Sequence, residues 1–229
     1  ILADGATGTN YFLRGLEAGY PPELWCIEKP HEVIGLHKMF LKSGCDIILT
    51  NSFGSNKCRL KLHGAEKRVV ELNKIAAQLA SKATKIHYEE TGLKKIVAGS
   101  MGPTGELFEP LGPLTKSSAI QTYTEQAKGL AEGGADFLWI ETTSSLEETD
   151  AAISAAKTTN IPIIATMTFD TAGKSMMGVS PSNYADYVSK QGVYAFGANC
   201  GLGPAEIIDS IVKMDKKHNI NIVAKGNCG

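Results

Sequence analysis

The sequence predicts an α/β fold, a (β/α)8 barrel that here lacks its eighth strand. Short apolar runs typical of buried strands alternate with amphipathic segments typical of helices, and this alternation builds a parallel sheet that helices cover. The same alternation also fits a doubly wound sheet. Two observations favour the barrel. Seven strands are predicted and the chain ends just after the seventh, and most residues of unusual chemistry follow a strand end, where a barrel builds its catalytic face.

The strands are predicted from short apolar runs that give way to glycine or polar residues. In chain order they are Ile1 to Asp4, Asp46 to Thr50, Lys95 to Met101, Asp136 to Glu141, Ile161 to Thr168, Val193 to Asn199 and Ile220 to Lys225.

The helices are predicted from apolar residues that recur at spacings of three and four, as in the segment after residue 66. Several starts carry the expected signals: Ser180 precedes Pro181, Ser144 precedes an acidic turn, and Pro204 occupies a first-turn position. The predicted helices are Pro30 to Ser43, Glu66 to Tyr88, Ser117 to Gly133, Leu146 to Thr158, Pro181 to Lys190 and Pro204 to His218.

Composition describes an ordinary globular chain and excludes several classes of function. The 229 residues are 43% hydrophobic and 21% charged, with a formal net charge of −1, so nothing indicates binding to nucleic acid or to a membrane. One domain over residues 1–229 is the simplest organisation. Because the chain starts without Met inside a predicted strand and stops directly after another, we expect it to be incomplete at both ends.

The five cysteines are odd in number and scattered along the chain. They lack the spacing of a disulfide scaffold, which favours a reducing, cytoplasmic location and thiol or metal chemistry. Cys200 stands out because it follows a predicted strand and opens a glycine-rich turn, a good position for a metal ligand or a nucleophile. Taken alone, however, a free cysteine is more often a buried packing residue.

Motifs along nearly the whole chain together resemble the homocysteine S-methyltransferase family. The matching stretches occur in the same order as in that family: DGATGT, ILTNSFG, GSMGPTGE, WIET and FGANCG. The resemblance implies a (β/α)8 barrel that carries Zn²⁺, with homocysteine and a methyl donor as its partners. Coordination to zinc deprotonates a thiol and so activates it for methylation.

The resemblance also implies the ligands of the metal. Cys200 is the counterpart of the first zinc ligand, and the other two come from a paired Cys-Cys on the eighth strand, expected beyond Gly229. Cys228 lies at a strand end, but the family commonly has a small residue there, so a metal role is the less favoured interpretation. Asn227 is expected near the site. Packing explains the remaining cysteines better than metal binding does: Cys26, Cys45 and Cys58.

Homocysteine brings an ammonium and a carboxylate that need partners. Asp4 and Glu141, at the ends of predicted strands, are the carboxylates assigned to the ammonium, and the family resemblance gives them the same task. A helix cap or a salt bridge would explain either acid equally well. The backbone N–H groups of Gly5, Ala6 and Thr7 are expected to hold the substrate carboxylate as an anion nest. We expect Asn51 and Asn199 to fix either loop backbones or the substrate.

The methyl donor is predicted from the family resemblance and from aromatic residues. Family members use onium compounds such as betaine or S-methylmethionine, or methylcobalamin in multidomain enzymes, and an onium cation favours an aromatic cage. Trp25 and Tyr20 lie in the connection after the first predicted strand and are the favoured cage residues, although aromatic residues in such loops are more often packing anchors. Weaker candidates for the same cage are Phe53, Phe108 and Tyr11.

Two other functions stay open at this point. Lys225, at the end of the seventh predicted strand, could form a Schiff base in a lyase or aldolase on the same barrel. A non-catalytic binding subunit is the second alternative. The sequence does not decide between a monomer and a homo-oligomer. The histidines fall in predicted helices or their flanks, so a Ser-His-Asp arrangement is not predicted: His31, His37, His63, His87 and His218.

Overall fold

The computed structural model describes residues 1–214 and 218–228 of the chain. The chain forms two compact units, Ile1–Thr104 with Glu125–Leu138, and Gly105–Thr124 with Trp139–Gly229. We refer to them as the first and the second unit. The sequence predicted one domain over residues 1–229, and this stays a prediction.

Six parallel strands form a sheet in which each strand follows its predecessor in the chain. In the first unit Ile47 pairs with Ile96, and in the second unit Ile164 pairs with Ala195 and Ala195 with Asn221. Strands in chain order with helices between them confirm the predicted α/β fold of the (β/α)8-barrel class. The strands are β1 (Ile47–Leu49), β2 (Ile96–Met101), β3 (Phe137–Thr143), β4 (Ile163–Met167), β5 (Ala195–Cys200) and β6 (Asn221–Gly226).

The first predicted strand, residues 1–4, is not a full strand and makes a single bridge from Ala3 to Ile47. The reason lies in Asp4. Its backbone N–H donates to the carbonyl of Ile47 at 2.9 Å, but its side-chain Oδ2 accepts the next bond, from the N–H of Leu49 at 2.7 Å. A side chain thus takes the place of a main-chain acceptor, and the backbone hydrogen bonding between this segment and β1 ends there.

The helices agree with the prediction where the apolar periodicity is long. The three that the sequence missed, α1, α2 and α4, have between four and seven residues, too few for periodicity to show. The helices are α1 (Thr7–Leu13), α2 (Trp25–Glu28), α3 (Pro30–Lys42), α4 (Lys57–Lys61), α5 (Val69–Thr91), α6 (Lys116–Glu132), α7 (Leu146–Ala156), α8 (Pro181–Val188) and α9 (Pro204–Lys213). No helix within the described residues is long and apolar enough to cross a membrane.

Two details of the helix ends differ from the prediction. Ser180 caps α8 as predicted, but Ser145, not Ser144, caps α7 by accepting a hydrogen bond from the N–H of Glu148 at 3.1 Å. Helix α9 was predicted to reach His218 and ends at Lys213; the predicted part at residues 215–217 lies outside the described residues, as does Gly229.

In the first unit, α6 packs closely on α5 through glycines. A Cβ at Gly129 of α6 would lie 2.6 Å from the carbonyl oxygen of Val70, and one at Gly133, directly after α6, would lie 2.5 Å from that of Lys74. The two helices therefore pack closely here, and a larger residue at either glycine position would push them apart. A separate apolar cluster in the same unit contains Tyr11, Leu16, Trp25, Cys26, Val33, Leu36 and Ala76.

Candidate functional site

Cys200 ends β5 and is partly exposed. Its φ of 57° and the 75° of Gly201 place both residues in the left-handed region, which turns the chain sharply away from the strand. Cys200 pairs in register with Gly226 on β6, and the N–H of Asn227 donates to the carbonyl of Cys200 at 3.3 Å. The Cys200 sulfur is therefore held at a strand end and is not packed in the core.

The side chain of Asn199 connects Cys200 to the end of β3. Asn199 Oδ1 accepts a hydrogen bond from the N–H of Thr142 at 2.9 Å, and its Nδ2 donates to Thr142 Oγ1 at 2.7 Å. The same Nδ2 lies 3.3 Å from Cys200 Sγ, and Thr142 Oγ1 lies 3.7 Å from that sulfur. We call Thr142, Asn199 and Cys200 the β3–β5 clasp. Asn199 thus holds the backbone of Thr142 in β3, and its role toward the substrate stays a prediction.

Thr142 is a residue that sequence reasoning missed. It has a φ of 63°, and a β-branched residue in the left-handed region is uncommon and strained. The signal in the sequence was its place directly after Glu141 in WIET, a stretch already attributed to the site. Two strained residues, Thr142 and Cys200, thus lie in one hydrogen-bonded group, and such strain concentrates at functional sites. Glu141 precedes Thr142 in β3 and is buried.

In the first unit, Asp4 is buried and accepts the hydrogen bond from Leu49 described above. The segment that follows it, Gly5, Ala6 and Thr7, leads into α1, and Asn10 Nδ2 donates to the carbonyl of Ala6 at 2.6 Å. A Cβ at position 5 would lie 2.9 Å from the ring of Phe40, so a larger residue here would require that ring to shift. Whether the backbone amides of this segment bind an anion stays a prediction.

Asn51 follows β1 and is engaged with the chain itself. Its Nδ2 donates to the carbonyl of Pro22 at 2.7 Å, and Cys26 Sγ lies 3.5 Å from both this nitrogen and the carbonyl oxygen of Asn51. Asn51 therefore fixes a loop, which was one of its two predicted roles. Burial raises the pKa of Cys26 to about 12, so Cys26 is an uncharged packing thiol, as predicted.

Trp25 and Tyr20 both have partners within the first unit. Trp25 is 3% exposed, packs edge-on against Tyr11 with 5.3 Å between ring centroids, and has the Lys29 ammonium 4.5 Å from its ring centroid. The hydroxyl of Tyr20 donates to the carboxylate of Glu28 at 2.7 Å. These contacts make Trp25 a packing anchor, and the donor-binding role of both residues stays a prediction.

Among the described residues, no group of three or more His, Cys, Asp or Glu side chains could hold a metal ion. Cys228 is exposed, Cys58 is partly buried, and Cys26 and Cys45 are buried. Cys200 is thus one soft ligand with an accessible sulfur, which fits zinc, but the described chain does not by itself complete a zinc site.

Lys225, the residue of the alternative lyase, pairs in register with Asn199.

The fold and this site define a class: a barrel-type α/β protein with a cysteine held at the carboxyl end of a strand. Within that class the chain belongs to the homocysteine S-methyltransferase family, whose model matches residues 1–229. This finding confirms the resemblance in the sequence, and methyltransferases make up the family.

Curated relatives and solved structures agree with this placement. The chain is 28% identical over 246 residues to a methionine synthase of Mycobacterium tuberculosis and 28% identical over 247 residues to one of Mycobacterium leprae. All of the chain is covered in both cases, but it spans 20% of the length of each relative.

Crystal structures of the homocysteine methyltransferase MmuM from Escherichia coli have the same fold. Its metallated form gives a TM-score of 0.80 at 21% identity, covering 92% of this chain and 77% of that one. Its apo form gives a TM-score of 0.71 at 17% identity, covering 100% of this chain and 90% of that one.

Proposed function

We propose that this chain binds L-homocysteine and takes part in the transfer of a methyl group to its thiol, giving methionine. The observation that carries the proposal is the β3–β5 clasp, which presents the Cys200 sulfur at a strand end with two neighbouring polar side chains directed at it. Membership of the homocysteine S-methyltransferase family supports the choice of substrate.

The proposal includes a zinc ion, for which Cys200 would be one ligand and residues outside the described part of the chain would supply the rest. When bound, zinc would favour the ionised form of a substrate thiol, which is the nucleophilic form. Asn199 and Thr142 restrict the position of Cys200 Sγ, so this ligand is oriented in advance.

Substrate recognition is proposed for two buried carboxylates, those of Asp4 and Glu141. A charge-assisted hydrogen bond from an ammonium is stronger when water is excluded. We assign both to the substrate ammonium, following the family resemblance. The backbone N–H groups of Gly5, Ala6 and Thr7 are assigned to the substrate carboxylate. Asn51 and Asn199 are assigned to hold nearby backbone, at Pro22 and at Thr142 respectively.

The donor in this proposal is a small onium compound, similar to betaine or S-methylmethionine. Sulfonium and quaternary ammonium methyl groups are electrophilic, and their transfer to a thiolate leaves an uncharged sulfide or amine, so the charges balance. A thiolate attacks carbon, the bond from the donor heteroatom to methyl breaks, and the donor keeps the electron pair.

A matched pair of cysteine variants tests the proposal in the intact polypeptide that carries this chain. Cys200→Ala should abolish both methionine formation and stoichiometric zinc, because it removes a metal ligand. Cys228→Ala, an exposed cysteine of the same unit, should leave both unchanged. The assay supplies homocysteine with betaine, S-methylmethionine or methylcobalamin and reads methionine alongside the zinc content.

Several outcomes would contradict the proposal. Full zinc occupancy and full activity in Cys200→Ala would remove Cys200 from the site. Trapping of a carbonyl substrate on Lys225 by borohydride, with no metal found, would instead favour the Schiff-base lyase. Activity with methylcobalamin alone would overturn the onium donor and leave the homocysteine assignment intact.

A further inference from the structure

Thr168 directly follows β4 and carries a buried hydroxyl that has no hydrogen-bond partner within the described part of the chain. The residue is 7% exposed, so the hydroxyl is also withdrawn from solvent. Burying a hydroxyl without a partner costs free energy, and native proteins rarely leave such a group unpaired. The Thr168 hydroxyl therefore points to a partner from outside the chain.

The Thr168 side chain extends from the face of the sheet that Trp139 occupies. The N–H of Thr168 donates to the carbonyl of Thr143 at 3.3 Å, so the chain is still aligned with β3 at this residue. Two residues earlier, Thr166 Oγ1 accepts a hydrogen bond from Trp139 Nε1 at 3.0 Å. Because side chains two positions apart in a strand lie on the same face, Thr168 shares the face of Thr166 and Trp139.

The residue after Thr168 agrees with this direction. Phe169 is 3% exposed and packs edge-on against Tyr184 of α8, with 6.0 Å between ring centroids. Phe169 thus faces a covering helix, and its neighbour Thr168 faces the other way. In a barrel that other face is the interior, which opens at the carboxyl ends of the strands.

Thr168 lies between the two strands that the β3–β5 clasp connects. Met167 pairs in register with Ala198, which places Thr168 beside Asn199 at the end of β5. Asn199 in turn bonds to Thr142 at the end of β3. The unpaired hydroxyl is therefore next to the group that holds the Cys200 sulfur.

Glu141 indicates the charge of the group that would bond to this hydroxyl. It is two residues after Trp139 in β3, so it lies on the same face as Thr168, and it is buried. A buried carboxylate favours a cation over an anion on this face. An ammonium has three N–H donors, so after one bond to Glu141 it can still donate to an uncharged oxygen.

We infer that Thr168 is a further substrate-contacting residue, and that its Oγ1 accepts a hydrogen bond from the ammonium of homocysteine. The inference rests on the proposed function, because it adds a partner to the ammonium already assigned to Glu141. In the free protein the hydroxyl lowers stability, and the bound substrate supplies its missing bond. The Thr168 hydroxyl thus serves binding and not folding.

The Thr168→Val variant tests this inference through stability and binding together. Urea denaturation should give an unfolding midpoint equal to or above that of the wild type, because a methyl group replaces a hydroxyl without a partner. Calorimetric titration of the intact, zinc-loaded polypeptide that carries this chain should show binding of L-homocysteine weakened about tenfold. Thr168→Ser keeps the oxygen and should bind homocysteine within about twofold of the wild type.

A second threonine and a second ligand provide the controls. Thr166→Val removes a hydroxyl from the same strand and face, but one that has a partner in the free protein, the Trp139 indole. Its unfolding midpoint should fall, and its homocysteine binding should stay within about twofold of the wild type. 4-Mercaptobutyrate has the thiol and the carboxylate of homocysteine but no ammonium, so Thr168→Val should bind it as tightly as the wild type does.

The outcomes separate this inference from the proposed function. A lower unfolding midpoint of Thr168→Val with unchanged homocysteine binding would overturn the inference, because the hydroxyl would then stabilise the fold through a bound water. An equal loss of homocysteine and 4-mercaptobutyrate binding would overturn it too, since the ammonium would not be the partner. Equal homocysteine binding by wild type and Thr168→Val contradicts the inference alone, whereas no saturable homocysteine binding by the wild type contradicts the proposed function as well.

Discussion

At the scale of single residues, the β3–β5 clasp combines backbone strain with hydrogen bonds to a sulfur. Thr142 and Cys200 both have positive φ, at 63° and 57°, which costs of order 1–3 kcal/mol for each residue. The Asn199 side chain offsets part of this cost, since it bonds to the backbone and the hydroxyl of Thr142. The position of the Cys200 sulfur therefore depends on a neighbour that is not itself a metal ligand.

Removing the Thr142 hydroxyl should loosen this arrangement. Thr142→Val keeps the branched shape but leaves Asn199 Nδ2 without its closest acceptor, so we expect the free energy of unfolding to fall by about 1–2 kcal/mol. Thr142→Ser keeps the oxygen and should stay within about 0.5 kcal/mol of the wild type. Urea denaturation measures both variants. Equal stability of the two would mean that the hydroxyl contributes nothing.

The cysteines should differ strongly in their reactivity. Burial raises the pKa of Cys26 to about 12 and that of Cys45 to about 11, so their thiols are almost entirely uncharged at pH 8. Iodoacetamide at pH 8 should therefore modify exposed Cys228 at least tenfold faster than either, as peptide mass spectrometry can follow. In denaturant the three rates should become equal. Rapid labelling of Cys26 in the folded protein would show that the segment around it opens.

At the scale of elements, glycine determines how β5 meets β6. Gly197 pairs with Val223, and a Cβ at position 197 would lie 1.9 Å from the carbonyl oxygen of Val223, closer than any real contact. In β6 itself, a Cβ at Gly226 would lie 2.6 Å from Ile207 of α9. The strands and the helix that carry the Cys200 turn are thus packed without space for a methyl group.

Gly197→Ala should be strongly destabilising for this reason. Because the added methyl forces backbone to move, we expect a loss of about 2–3 kcal/mol in the free energy of unfolding. Gly8→Ala is the matched control, since nothing lies within 4 Å of a Cβ there and the residue belongs to α1. It should be neutral or stabilising by up to about 1 kcal/mol. Thermal unfolding of both variants checks the pair, and similar midpoints would contradict the register described here.

Helix α3 contains His37, which makes the free energy of unfolding depend on pH. Burial lowers its pKa from the usual 6.5 to about 4, and within the described residues its Nε2 has no hydrogen-bond partner. The unfolded chain binds a proton near pH 6.5 and the folded chain only near pH 4, so stability is lost as the pH falls through this window. The loss in the free energy of unfolding should approach about 3 kcal/mol below pH 4.

Replacing His37 should flatten this dependence. His37→Leu removes the group that must be protonated inside the core, so unfolding midpoints should fall less between pH 6.5 and 4 than in the wild type. His31→Leu is the control on the same helix, because the His31 side chain is exposed. An identical pH profile of wild type and His37→Leu would show that another group controls acid stability.

At the scale of the whole molecule, the sheet brings together residues that are far apart in the chain. Thr142 and Cys200 are 58 positions apart, yet they lie in one hydrogen-bonded group because β3 and β5 flank β4 in a parallel sheet and end at the same edge of it. In the first unit, Asn51, which follows β1, reaches the carbonyl of Pro22 across 29 positions. Contacts between residues so far apart in the chain depend on the tertiary fold, which local sequence does not encode.

The sequence by itself determined the α/β class, the long helices, six of the strands, the family and the position of Cys200 at a strand end. These features depend on periodicity and on neighbouring residues, which can be read directly from the chain. The tertiary structure decided the rest. It ended the first predicted strand at Asp4 because a side chain took a backbone bond, and it placed Trp25 in the core. It also brought Thr142 into the candidate site, because hydrogen-bond partners depend on residues that meet only after folding.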